Sequence, residues 1–125
     1  MSLCFTVPGP PVGKQRPRTV RGRNGGVHTY TPGKTLAYER LVALEAVAAG
    51  ARRQALEAPY AIELLIWWPD RRRRDADNVL KSIMDALNGV VWADDCLVTR
   101  TVTEVMGVDK KNARVEIEIE SRGNQ

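Results

Sequence analysis

Residues 60–95 read YAIELLIWWPDRRRRDADNVLKSIMDALNGVVWADD, and the order of signals in this stretch decides the fold. Ile62, Leu64, Ile66 and Trp68 alternate along one face of a strand over residues 60–68, and Leu65 and Trp67 make the other face apolar too. A strand apolar on both faces belongs in the centre of a sheet. Pro69 ends it, because proline supplies no ladder donor. Residues 78–88 then switch to a helical period. Leu80, Ile83, Met84 and Leu87 form the expected buried stripe, Asp77 the expected N-cap, and Asn88-Gly89 the stop.

The elements on either side are shorter or less regular. Residues 3–7, LCFTV, form a strand that Pro8, Pro10 and Pro11 stop. Residues 9–32 are rich in Gly, Pro and Arg with little apolar periodicity, and read as a long, flexible basic loop. Residues 34–53 read as a helix entered at Thr31-Pro32, with Ala37, Leu41, Leu44 and Ala48 facing the core and Gly50, Arg52 and Arg53 at a frayed exit. Residues 97–106 and 114–120 read as two strands joined by a turn at 109–112. In the second, Val115, Ile117 and Ile119 alternate with Glu116, Glu118 and Glu120, which makes one face wet. The tail SRGNQ reads as disordered. The order is β-α-β-α-β-β. It defines an α+β fold, a small mixed sheet of about four strands with two helices, filling residues 1–125 as a single domain.

Composition removes several classes of function. Hydrophobic residues make up 43% and charged residues 27%, which suits a globular core. The longest apolar run, Leu64 to Trp68, is five residues, against the roughly 20 that span a membrane. No secretory signal is visible, so the expected location is the cytoplasm. Two cysteines, Cys4 and Cys96, and one histidine, His28, are too few for a disulfide framework or a closed zinc site. The charge is uneven. Up to residue 38 the chain carries Lys14, Arg16, Arg18, Arg21, Arg23 and Lys34 and no acid; the other 13 Lys and Arg meet all 15 acids, so the body is net −2. A basic arm on a mildly acidic body points to a polyanionic partner.

The chemistry concentrates in residues 69–95, which hold Asp70, Asp75, Asp77, Asp85, Asp94 and Asp95 beside the run Arg71, Arg72, Arg73 and Arg74. Asp75 and Asp77 are two residues apart at the start of a helix. Ionised carboxylates that close repel, and a divalent cation between them removes the cost. Oxygen ligands without nitrogen or sulfur suit Mg²⁺ or Mn²⁺. Asp95 can join them if the segment after Gly89 doubles back along the helix. Lys81, four residues after Asp77, projects from the same side; it is either an ion-pair partner or a cation that offsets charge on a scissile phosphate. The arginine run suits phosphate contact. A calcium loop is excluded, because Val79 and Leu80 stand where a ligand and a glycine are needed, and no phosphate-binding G-x-x-x-x-G-K-[ST] loop occurs.

The stretch PDRRRRDADNVLKSIMDALNGVVWADDCLV closely resembles the signature of the RusA-type Holliday junction resolvases, and VPGPPVGKQRPR is similar to that family's opening. The resemblance covers essentially the whole chain. It implies a small, homodimeric, Mg²⁺-dependent endonuclease acting on branched DNA, with Mn²⁺ as a substitute. It implies an active site of Asp75, Asp77, Lys81 and Asp95, with the three aspartates as metal ligands and Asn78 and Asp94 in support. The arm from Lys14 to Arg23 and the run Arg71 to Arg74 are the expected DNA contacts. A structure-selective nuclease of flaps or forks, or a nucleic-acid-binding module whose acids are only helix caps, stands as the alternative.

Overall fold

The computed structural model describes residues 2–15, 18–30, 32–52 and 57–122. Strand β1 (Ser2–Pro8) is followed by a hairpin, β2 (Arg18–Arg21) and β3 (Val27–Tyr30). Helix α1 (Gly33–Ala48), strand β4 (Tyr60–Trp68), helix α2 (Ala76–Leu87), a 3₁₀ turn (Asp95–Leu97), β5 (Val98–Val108) and β6 (Arg114–Ser121) complete the order. The main sheet runs β1-β6-β4-β5, so β4 is internal, as its doubly apolar pattern predicts. It pairs antiparallel with β6 and parallel with β5.

Register explains the core. Ile62, Leu64 and Ile66 of β4 stand opposite Ile119, Ile117 and Val115 of β6. Those three stand opposite Leu3, Phe5 and Val7 of β1. The rows form one apolar face, and α1 and α2 cover it with Tyr38, Val42, Ala46, Val79, Ile83 and Leu87. Burying each Val, Ile, Leu or Phe side chain among them contributes roughly 1.5–3 kcal/mol. Trp92 is fully buried and stacks on Tyr60 with ring centroids 5.6 Å apart. The opposite face carries Glu63, Glu116 and Glu118 around a shallow hollow with Cys4, Thr6 and Leu65. Across it, the Arg114 guanidinium lies 3.8 Å over the Trp67 ring. Trp68, on the other face, is buried.

Three expectations change. Part of the segment read as a loop over 9–32 pairs as the β2–β3 hairpin, with Arg21 opposite Val27; its short strands alternate too little apolar residue to announce themselves. Helix α1 stops at Ala48, where Gly50 takes a left-handed φ of 102°. Its buried residues are Thr35, Tyr38, Val42 and Ala46, whereas Leu44 is 64% exposed. Apolar residues surround α1 almost evenly, so period alone does not select a face. Helix α2 begins earlier than expected, with Asp75 rather than Asp77 as its N-cap. Of its expected stripe, Ile83 and Leu87 are buried and Leu80 and Met84 half-buried, while Val79 and Ser82 are buried instead.

Two leucines, one inside and one outside, separate in a stability measurement. Leu64→Ala should cost about 2–5 kcal/mol of unfolding free energy, whereas Leu44→Ala should stay within about 0.5 kcal/mol. Urea titrations of the two variants report both. Equal losses would return Leu44 to the core.

Candidate active site

The loop from Pro69 to Arg74 positions the start of α2. Asp70 accepts hydrogen bonds from the Arg72 backbone N–H at 2.9 Å and from Arg74 Nη1 at 2.6 Å. The Arg74 guanidinium and the Arg72 N–H hold the Asp70 carboxyl down at about 2. Arg74 also lies 5.3 Å over the Trp68 ring and donates toward the Asp70 and Arg72 carbonyls. The arginine run therefore divides. Arg74 is half-buried framework, and Arg71, Arg72 and Arg73 are exposed.

Asp75 Oδ1 accepts from the Asp77 N–H at 2.9 Å, capping α2 while both side chains remain exposed. The unpaired N–H groups and dipole of a helix start favour negative charge here. Asp77, Lys81 and Asp85 follow at i, i+4 and i+8 and form an exposed line along α2. Asp75 also lines an open cleft of about 290 Å³ with Trp68, Arg74, Lys14, Lys34 and Asn78.

Residues 11–15 strap this region to α1. The Lys14 N–H donates to the Asn78 carbonyl at 2.9 Å, and the Gln15 N–H to Thr35 Oγ1 at 3.4 Å. Lys14 Nζ lies 2.7 Å from Glu39 Oε1 and 3.0 Å from Asp85 Oδ2. Burial pulls the Lys14 ammonium down, but its bonds to Glu39 and Asp85 outweigh burial and raise it. A side chain expected to contact DNA is thus held between two carboxylates of the framework. Neither Glu39 nor Asp85 stands out in the sequence as its partner, because both lie far from residue 14 along the chain. Gly13 packs so closely that a Cβ there would stand 3.1 Å from Asn78 Cβ.

Asp94 and Asp95 lie at the other end of α2. Asp94 Oδ1 accepts from the Cys96 N–H at 2.9 Å, which caps the 3₁₀ turn and lowers the Asp94 carboxyl. Burial raises the Asp95 carboxyl, and the charges of Asp94 and Asp85 add to it, against a hydrogen bond from Asn88. Asp95 therefore sits beside Asn88 and Asp85, not beside Asp75 and Asp77. The expected doubling back does not carry it there, because residues 90–92 turn inward and bury Val91 and Trp92. Among the described residues no group of three or more His, Cys, Asp or Glu side chains converges on a metal-sized space. Of the other expected DNA contacts, Arg16 lies outside the described residues, Arg18 lies in β2, and Arg21 and Arg23 are exposed. Lys34 joins the cleft although its sequence setting, at the start of α1, carries no phosphate-binding pattern.

The arrangement sets two exposed carboxylates at a helix start beside three exposed arginines. The family model for Endodeoxyribonuclease RusA matches residues 8–120. Across 125 residues the chain is 34% identical to the crossover junction endodeoxyribonuclease RusA of Escherichia coli K12, covering 99% of this chain and 98% of the relative. It is 34% identical over 122 residues to the crossover junction endodeoxyribonuclease of Enterobacteria phage 82, covering 97% and 96%. It is also 30% identical over 118 residues to the Bacillus subtilis protein YqaN, covering 77% of this chain and 81% of that one. The chain belongs to the RusA endodeoxyribonuclease family.

The strap makes a prediction of its own. Gly13→Ala should displace Asn78 and the adjoining Asp77 by a few tenths of an ångström and lower DNA cleavage about three- to tenfold, since reacting geometry tolerates little displacement. Circular dichroism should stay unchanged. Wild-type cleavage by this variant would show that the strap does not set the site.

Proposed function

We propose that this protein is a metal-dependent endodeoxyribonuclease that hydrolyses phosphodiester bonds in branched DNA and resolves four-way junctions by paired nicks, working in the cytoplasm as a homodimer. The observation that carries this reading is the pair Asp75 and Asp77, exposed at the start of α2 beside the Arg74–Lys34 cleft, in a chain whose relatives are named crossover junction endodeoxyribonucleases. Among the described residues no helix is long and apolar enough to cross a membrane.

The donor set fits a hard cation. Asp75 and Asp77 offer carboxylate oxygen only, and Mg²⁺ or Mn²⁺ is commonly held by one or two carboxylates with waters and phosphate oxygens completing the shell. When bound, such an ion supplies a nucleophilic water and neutralises charge on the phosphate. The chain's own residues do the rest. Arg71, Arg72 and Arg73 hold the backbone as exposed cations beside the cleft. Lys81, one turn beyond Asp77, offsets negative charge as water oxygen bonds to phosphorus and a sugar oxygen leaves. The glutamate-bearing sheet face repels phosphate, so the DNA approaches from the arginine side. A two-fold dimer matches the two-fold symmetry of a four-way junction and sets one site against each of two opposed strands.

Cleavage of a synthetic four-way junction, mapped to the nucleotide beside matched duplex and flap controls, tests this reading. Asp75→Asn, Asp77→Asn and Asp95→Asn should each abolish cutting while junction binding persists or tightens slightly. Mg²⁺ and Mn²⁺ should support cleavage, and Ca²⁺ binding without efficient turnover. Efficient cutting in excess chelator would remove the metal from the reading; binding without cutting under every ion would leave a binding module.

Salt dependence separates the cations. Replacing Arg71, Arg72 and Arg73 with alanine should flatten the slope of log affinity against log salt by about 0.9 for each phosphate that is no longer neutralised. Fluorescence anisotropy from about 50 to 200 mM salt covers a suitable range. An unchanged slope would place these arginines away from the DNA.

A further inference from the structure

The turn from β5 to β6, residues 109–113, carries Lys110 and Lys111 side by side. Because β4 and β5 run parallel, this turn leaves the sheet at the same end as the loop from Pro69 to Arg74. The Asp109 N–H donates to the Trp68 carbonyl at 2.8 Å and ties the two segments together. A bulge sets that contact. Ile66 stands opposite Val105 but Trp67 opposite Gly107, where φ is 149°. The residue that meets the Trp68 carbonyl is therefore Asp109 rather than Val108.

The turn is braced from inside. Asp109 accepts from the Asn112 N–H at 3.2 Å and from Arg114 Nη1 at 3.2 Å. Arg114 also donates to the Asn112 carbonyl at 3.0 Å and to Glu116 at 3.1 Å, and its guanidinium lies over the Trp67 ring. Asp109 and Glu116 are thus engaged by Arg114, as Asp70 is by Arg74. Lys110 and Lys111 are exposed, and among the described residues neither meets a carboxylate. Paired lysines in a free turn are only solvated. These two are held on a fixed frame, at the end of the sheet where Arg71, Arg72 and Arg73 are exposed beside the start of α2.

We propose that Lys110 and Lys111 form a second phosphate-binding point, which grips a duplex arm of the junction and continues the track begun by Arg71, Arg72 and Arg73. The proposal rests on the nuclease reading for its partner, DNA, and adds where an arm of that DNA lies. Asp109 touches Trp68, and the seven residue steps from Trp68 to Asp75 span at most about 25 Å. One helical turn of duplex is longer, about 34 Å. A single arm therefore reaches both the acidic helix start and the lysine turn. A lysine ammonium is a compact charge with three donors, and it accepts a phosphate oxygen of any base sequence. The contact fixes how the arm lies and does not select bases.

The test is the salt dependence of junction binding, read by fluorescence anisotropy in chelator so that nothing is cut. Lys110→Ala with Lys111→Ala should flatten the slope of log affinity against log salt by about 1.8, or about 0.9 for each phosphate no longer neutralised. Its weakening of binding should then be about tenfold greater at about 50 mM than at about 200 mM salt. Lys110→Arg with Lys111→Arg should keep the wild-type slope, which separates charge from side-chain shape. Arg100→Ala with Arg122→Ala removes the same charge at the other end of the sheet, where Arg100 stands opposite Ala61 and the Arg122 N–H bonds Pro59; it should leave the slope alone. Neutral methylphosphonate linkages then locate the contact. They should weaken wild-type binding at phosphates of one arm within about one helical turn of the crossover, and have no further effect there on the lysine-to-alanine variant. Wild-type protein that binds junctions and never cuts them would end the nuclease reading, and a flattened slope would still support the lysine contact. An unchanged slope in the lysine-to-alanine variant would overturn the proposal. So would equal flattening by Arg100→Ala with Arg122→Ala, or methylphosphonate effects that are the same in wild type and variant at every position.

Discussion

Helix α2 is a rod of fixed length clamped at both ends, and its clamping organises the molecule. Because β4 and β5 are parallel, the chain must return the full length of the sheet between them, and α2 makes that return. One end is set by the bend through Pro69, where Asp70 gathers Arg72 and Arg74 and delivers Asp75 as the cap. The other is set by Trp92, which bonds Asn88 through its indole at 3.0 Å and packs on Tyr60. A shift of the helix by one turn would break both anchors and move Ile83 and Leu87 out of the core. The spacing between the two ends is therefore as rigid as the core itself.

The charges divide according to the same frame. Three cations are consumed in holding it: Arg74 on Asp70 and Trp68, Lys14 between Glu39 and Asp85, and Arg114 on Trp67 with Asp109 and Glu116. Each is half-buried and meets a carboxylate within 3.2 Å, close enough for charge-assisted hydrogen bonds. The acid partners of Arg74 and Arg114 are 40–43% exposed, so each of those pairs contributes little to stability and serves mainly to fix position. Arg71, Arg72 and Arg73 point outward instead and border the acidic helix start. The positive charge available to a phosphate backbone is thus smaller than the count of basic residues.

Much of this was legible in the sequence, unequally. The strand at 60–68 and the helix that follows were readable because their apolar residues keep a strict period, and the register of β6 against β4 follows from the alternation of Val115, Ile117 and Ile119. Helix α1 was readable as a helix but not by its buried side, because alanines, leucines and valines surround it and only packing decides that Leu44 faces outward. The acids were readable as candidates through their spacing and setting. Their distances were not. Whether Gly89 starts a return along the helix or a turn into the core depends on where Val91 and Trp92 find burial, which is a property of the finished sheet. The commitment of Lys14 to Glu39 and Asp85 was hidden for the same reason, since no local pattern links residues on three elements.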